Sequence, residues 1–77
     1  MRFSVVNDEL TVWLEGRIDS SSALEVEKEL LGILEAHPYL AVRLDMSSLF
    51  YISSAGLRVL LIVRKRVKSL VLTEVSP

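Results

Sequence analysis

Two adjacent hydroxyls, Ser53 and Ser54, precede Ala55 and Gly56 at the head of a run, Leu57 to Val63, that only Arg58 interrupts. A serine at a helix start accepts a hydrogen bond from an N–H one turn further on, so either residue can act as N-cap. Ala55 and Gly56 leave the first turn nearly bare, and a second surface could approach the helix terminus closely there. That terminus carries partial positive charge and unpaired N–H donors, and so favours an anion. Hydroxyls in this position are suited to phosphorylation. A phosphate adds about −1.5 to −2 charges, which would clash with a bound acidic or apolar surface. Capping alone explains the same serines without any function, and the first-turn geometry serves both readings.

Asp19 and Asp45 admit two readings. They share an acidic pocket beside the hydroxyls, or each bonds backbone N–H groups in its own loop. For Asp45 the local role is preferred. No base, nucleophile or cofactor motif completes a catalytic site around them. His37 is the one histidine and cysteine is absent, which excludes thiol chemistry, disulfides and cysteine-ligated zinc and leaves no His-rich metal site. The chain is therefore expected to be no enzyme, with no cofactor and no metal.

Composition points to a protein that binds other proteins. Its 77 residues make one domain with a marginal core. The chain is 51% hydrophobic and 25% charged, yet its longest apolar stretch, Val59 to Val63, falls far short of a membrane span. The N-terminus alternates and carries charges, unlike a signal peptide. A net charge of −1 argues against general binding to nucleic acid. The basic cluster Arg64, Lys65, Arg66 and Lys68 reads as a solvated helix end favoured by the dipole, with no interleaved aromatic residues for base stacking. A cytoplasmic location with no direct membrane insertion is expected.

The elements that must position these groups follow from hydrophobic period. Arg2 to Val6 and Leu10 to Glu15 alternate, and the polar turn Asn7-Asp8-Glu9 joins them into an antiparallel hairpin. Gly16 to Asp19 leaves the strand. Ser22 and Glu25 form a capping-box pattern. Ala23, Val26, Leu30, Ile33 and Leu34 then repeat at helical spacing, predicting a helix roughly 22 Å long that His37-Pro38 stops. Leu40 to Asp45 is predicted as a third strand, ending at its carboxylate before a short polar link. A second helix is predicted from about Ser54 to Lys68, apolar nearly all round in the middle and so deeply packed. Leu70 to Thr73 is a fourth strand, and Glu74 to Pro77 trails off. Strands separated by helices pair in parallel through crossovers of one hand, so both helices share a face only if the strand order runs steadily in one direction. Trp13 falls on the open face, as a partner anchor or packed under the hairpin or against Arg43.

Leu14-Glu15-Gly16-Arg17-Ile18-Asp19, Leu44-Asp45-Met46-Ser47 and Tyr51-Ile52-Ser53-Ser54-Ala55-Gly56-Leu57 together resemble the STAS domain, shared by sulphate transporters and bacterial anti-sigma factor antagonists. The resemblance covers essentially the whole chain, with the aspartate, tyrosine and glycine-leucine in the family's register without gaps. It implies an α/β fold: a mixed four-stranded sheet with two helices in the order β-β-α-β-α-β, here lacking the family's usual final helix, strand and helix. It also implies a regulatory binding module. Family antagonists bind an anti-sigma factor, in many systems also a serine kinase, and so free the sigma factor. Phosphorylation at the start of the second helix disrupts that complex and a phosphatase restores it. The common family pattern is Asp-Ser-Ser/Thr-Gly-Leu, with the acceptor just before glycine. Here Ser53 stands for its aspartate, Ser54 for its middle serine and Ala55 for the acceptor. The resemblance thus makes Asp19, Asp45, Ser53, Ser54, Ala55, Gly56 and Arg58 the partner-binding residues, with Ser54 ahead of Ser53 as phosphorylation candidate.

Residues 1–77 are read as a single domain of this family, incomplete at the C-terminus: a short natural variant, a fragment or an engineered scaffold. Sheet left uncovered by the missing helix is expected to be buried in a homodimer or strand-exchanged oligomer. Two other readings stand beside the anti-sigma one: a regulatory STAS component of a membrane transport system, and a truncated scaffold with no activity of its own.

Overall fold

Strand and helix alternate in the expected order: β1 (Arg2–Val6), β2 (Glu9–Ile18), α1 (Ala23–Ala36), β3 (Ala41–Ile52), α2 (Ser54–Arg66) and β4 (Ser69–Thr73). The computed structural model describes residues 1–38, 41–67 and 69–73. Leu40, Lys68 and the trailing Glu74 to Pro77 lie outside the described residues.

The sheet order is β1-β2-β3-β4. β1 and β2 are antiparallel, whereas β2–β3 and β3–β4 are parallel. A steady order with right-handed crossovers puts both helices on one face, and there α1 and α2 touch. Arg66 and Glu35 approach to 3.8 Å at the C-terminal ends of the two helices. Both N-termini therefore lie at the opposite end, where Ile18 of β2 pairs with Ile52 of β3.

The core lies between helices and sheet. Leu10, Val12, Leu14, Val42, Leu44 and Met46 meet Leu30, Leu34, Val59 and Val63 there. The other face carries Thr11, Trp13, Arg43 and Asp45, all half-buried. The hairpin takes up Trp13, whose ring lies 4.7 Å beneath the guanidinium of its cross-strand partner Arg2. Among the described residues, no helix is long and apolar enough to cross a membrane.

Several local expectations are corrected. The hairpin turn is the residue pair Asn7-Asp8, both at positive φ (50° and 63°), while Glu9 already pairs with Val6. Two central residues at positive φ match the twist of the flanking strands. Neither β2 nor β3 stops where expected. Gly16, at φ 77°, lets β2 continue to Ile18. β3 runs on past Asp45 to Ile52 because register shifts absorb its extra residues. The start of α1 also differs. Ser22 makes no capping bond to the helix. Asp19 caps instead, its Oδ1 accepting from the N–H groups of Ser21 (3.0 Å) and Ser22 (3.2 Å), while the Asp19 N–H donates to Ser22 Oγ (3.1 Å). The reciprocal box exists, with aspartate as its first member. Finally, α2 is not packed all round: Leu61 is 58% exposed, because the helix covers the sheet with one side only. Towards β4 an open groove is lined by Arg64, Val67, Leu70 and Leu72.

Gly56 is buried, contrary to the expectation that it bares the helix tip for a partner. A Cβ there would lie 2.6 Å from Ile52 Cγ1 and 2.9 Å from Ile18 Cγ2. The bare position admits the chain's own strand ends, so substitution at Gly56 tests folding rather than docking. Alanine gains about 1 kcal/mol of helix preference, and overpacking costs about 1–3 kcal/mol. At 2.6 Å the clash is expected to win. Gly56→Ala should lower the urea midpoint, and should lower it less in an Ile52→Ala background. Equal losses in both backgrounds would refute this seat for α2.

Candidate functional site

The end of the sheet is closed by the backbone. Ser53 N–H donates to Ile18 O at 2.8 Å, and Leu57 N–H donates to Ser53 O at 2.9 Å. Ser53 is extended (φ −86°, ψ 175°), and its Oγ accepts from Gly56 N–H at 3.4 Å, the bond expected of an N-cap. Ser54 follows, exposed and with no side-chain hydrogen bond among the described residues. Ala55 is half-buried. Arg58, one turn on, is exposed and has no ion pair among the described residues.

Asp19 arrives at the same end from β2. Besides its two backbone bonds, Oδ1 accepts from Ser21 Oγ at 2.6 Å and Ser22 Oγ at 3.3 Å, and Oδ2 from Arg17 Nε at 3.2 Å. The Ser21 hydroxyl is the largest cause that holds this carboxyl well below its ordinary value, from 3.8 down to about 2, with the Ser21 N–H, the Ser22 hydroxyl and the Arg17 charge adding to it. All of them favour the charged form. Arg17 also lies over the ring of Tyr51, its guanidinium carbon 4.7 Å from the centroid.

Asp45 is not part of this cluster. It pairs with Trp13 and Thr73, seven residues back from Ile52 along β3, roughly 20 Å at strand spacing. Its Oδ1 accepts from Ser47 Oγ at 2.6 Å and Ser47 N–H at 2.9 Å. The Ser47 hydroxyl is the main cause that lowers this carboxyl's pKa, with the positive charges of Arg2 and Arg43 adding to it. The shared acidic pocket does not form, and Asp45 has the local role. Among the described residues no group of three or more His, Cys, Asp or Glu side chains could hold a metal ion.

Sequence reasoning brought Asp19 and the serines together but passed over Arg17, Phe50 and Tyr51. A signal was present. Leu49-Phe50-Tyr51-Ile52 places four large apolar residues in succession, and a strand with one covered face can bury only alternate ones. Two of the four must face outwards at the site.

A family model described as the STAS domain matches residues 2–77. A protein of Bordetella bronchiseptica provisionally described as the anti-sigma factor antagonist BtrV is 40% identical over 72 residues, covering 88% of this chain and 61% of that protein. The chain thus spans about three fifths of that relative's length. Among solved structures, the anti-sigma factor antagonist SpoIIAA in its unphosphorylated form is similar with a TM-score of 0.76 over 99% of this chain and 74% of that one. Sequence identity there is 14%, a likeness of fold.

The Asp19 cluster carries a pH signature. The folded-state pKa of about 2 lies below the ordinary 3.8, so between these values the unfolded chain binds more protons than the folded one. The stabilisation is complete above about pH 4 and is lost as pH falls towards 2. Comparing wild type with Asp19→Asn in thermal melts, the difference in Tm should be largest above pH 4 and shrink as pH falls to 2. A difference that stays constant over that window would remove the ionised cap.

Proposed function

The chain belongs to the STAS domain family, and on that footing we propose that it is a regulatory binding module that docks an anti-sigma factor through the β3–α2 junction and the first turn of α2. The observation that carries this reading is the state of the tip. Its backbone is fixed by the Ser53–Ile18 bond, while the Ser54 side chain is exposed. A site with a rigid frame and an unengaged hydroxyl is prepared for a partner at little ordering cost. The antagonist description of the Bordetella relative supports the same class of partner.

The module catalyses nothing and works in the cytoplasm. The anti-sigma factor is also its serine kinase, and the phosphate goes on Ser54: Ser53 Oγ is occupied with Gly56 N–H, and Ala55 has no hydroxyl. The helix terminus tolerates the added charge, but a partner seated on the tip does not, and the complex separates. Copies of the chain also associate along the α2–β4 side, where Leu57, Leu61, Val71 and Leu72 are exposed.

Calorimetry against each purified anti-sigma factor kinase encoded in the source genome tests the docking. Wild type and Ser54→Ala should bind alike, and Ser54→Glu at least about tenfold more weakly. After incubation with kinase and ATP, mass spectrometry should place the phosphate on Ser54. No binding by wild type would refute the docking, and phosphate confined to Ser53 would refute the assignment of the switch. For self-association, light scattering should give a dimeric mass for wild type and a monomeric one for Leu72→Glu. A monomeric wild type ends that part of the reading.

A further inference from the structure

Ser54 is the first residue of a line that runs along α2. Ser54, Arg58, Leu61 and Lys65 are spaced four, three and four apart, which at 3.6 residues per turn keeps them within about 60° of one another around the helix. All four are exposed, on the side away from the buried Gly56, Val59, Leu60 and Val63. The line measures roughly 16 Å at 1.5 Å per residue.

The charge on this helix has one sign. α2 holds Arg58, Arg64, Lys65 and Arg66 and no aspartate or glutamate, and β4 holds no charged residue. Among the described residues Arg66 is paired with Glu35 of α1 at 3.8 Å, whereas Arg58, Arg64 and Lys65 have no ion pair. The neighbouring α1 is acidic, but its Glu29 holds the Met1 ammonium and its Glu35 holds Arg66, and Glu25 and Glu27 pair with nothing on α2. The helix dipole accounts for the cations of the last turn. It does not account for Arg58, which stands in the second turn, nearer the positive end, and one turn from Ser54.

We propose that the docking surface extends from Ser54 along this line to Lys65, and that the anti-sigma factor meets it with an acidic segment whose carboxylates pair with Arg58 and Lys65 on either side of Leu61. This rests on the docking reading above and adds the course of the surface and the chemistry of the partner. A second copy facing the line through a two-fold axis would set cation against cation, so the occupant is a different protein. The line also gives the phosphate a target. An anion four residues before an arginine on a helix is well placed to pair with it, and a phosphate pairs with a guanidinium through two oxygens. Phosphate on Ser54 takes the place of the partner's carboxylate at Arg58.

The test uses the full chain and the anti-sigma factor kinase that binds wild type by calorimetry. Arg58→Glu should weaken binding at least about tenfold, with an unchanged urea midpoint because the side chain is exposed and unpaired. Lys65→Glu should weaken it severalfold. Arg2→Glu, the same change of charge on the sheet face away from the helices, should bind as wild type. Wild-type affinity should fall as salt rises, and less steeply for Arg58→Glu. Ser54→Glu should cost less affinity in an Arg58→Gln background than in wild type. If Arg58→Glu and Lys65→Glu bind as wild type while Ser54→Glu does not, the docking stands and its course along α2 is overturned. Tighter binding by Arg58→Glu would mean a basic partner and overturn the proposal. If Arg58→Glu changes the mass in solution and leaves the affinity intact, the line serves a second copy and the proposal fails. Equal costs of Ser54→Glu in both backgrounds would remove the exchange at Arg58. If no anti-sigma factor binds wild type, the docking and its extension fall together.

Discussion

The bond from Ser53 N–H to the Ile18 carbonyl, 2.8 Å long, is the constraint on which the junction of β3 and α2 depends. It joins residues 35 positions apart and satisfies two backbone groups that would otherwise be left at the rim of the sheet. It fixes where β3 stops and α2 starts, and it does so against β2. Gly56 completes the closure: with no side chain, it lets the first helical turn settle on Ile18 and Ile52 at contact distance. The serine tip is therefore set by the sheet beneath it rather than by the conformational taste of a loop.

One local device appears twice in this frame. Asp19-Ser20-Ser21 and Asp45-Met46-Ser47 both bend an aspartate oxygen back to the N–H and hydroxyl of the serine two residues on, at nearly the same distances. At Asp19 the bend opens a helix. At Asp45 it sits where β3 takes in its first extra residue. The same chemistry thus answers two topological needs, turning the chain out of one strand and keeping it within another.

The order of elements and the covered face were legible because they rest on period. Leu10, Val12 and Leu14, and again Val42 and Leu44, alternate as strands must, and Leu30 and Leu34 recur at helical spacing. What escaped needs knowledge of the partner strand. Nothing between Asp45 and Ile52 announces that the pairing slips twice, so a long strand reads as a short one followed by a link. Ser22 before Glu25 is a stronger capping pattern than Asp19 before Ser22, and only the chain's course into α1 decides between them. Gly56 was legible as a close approach but not as to what approaches. A backbone that nears something looks the same in sequence whether that something is a partner or the chain's own isoleucines.

The slips in β3 have a consequence for how such a domain can diversify. They fall after the stretch from Ala41 to Asp45, where β3 is held by neighbours on both sides. The residues beyond can exchange one outward side chain for another while the registers on either side stay as they are. The architecture thus separates a frame held by pairing on both sides from an outward position at the strand end, whose side chain can change without disturbing that frame.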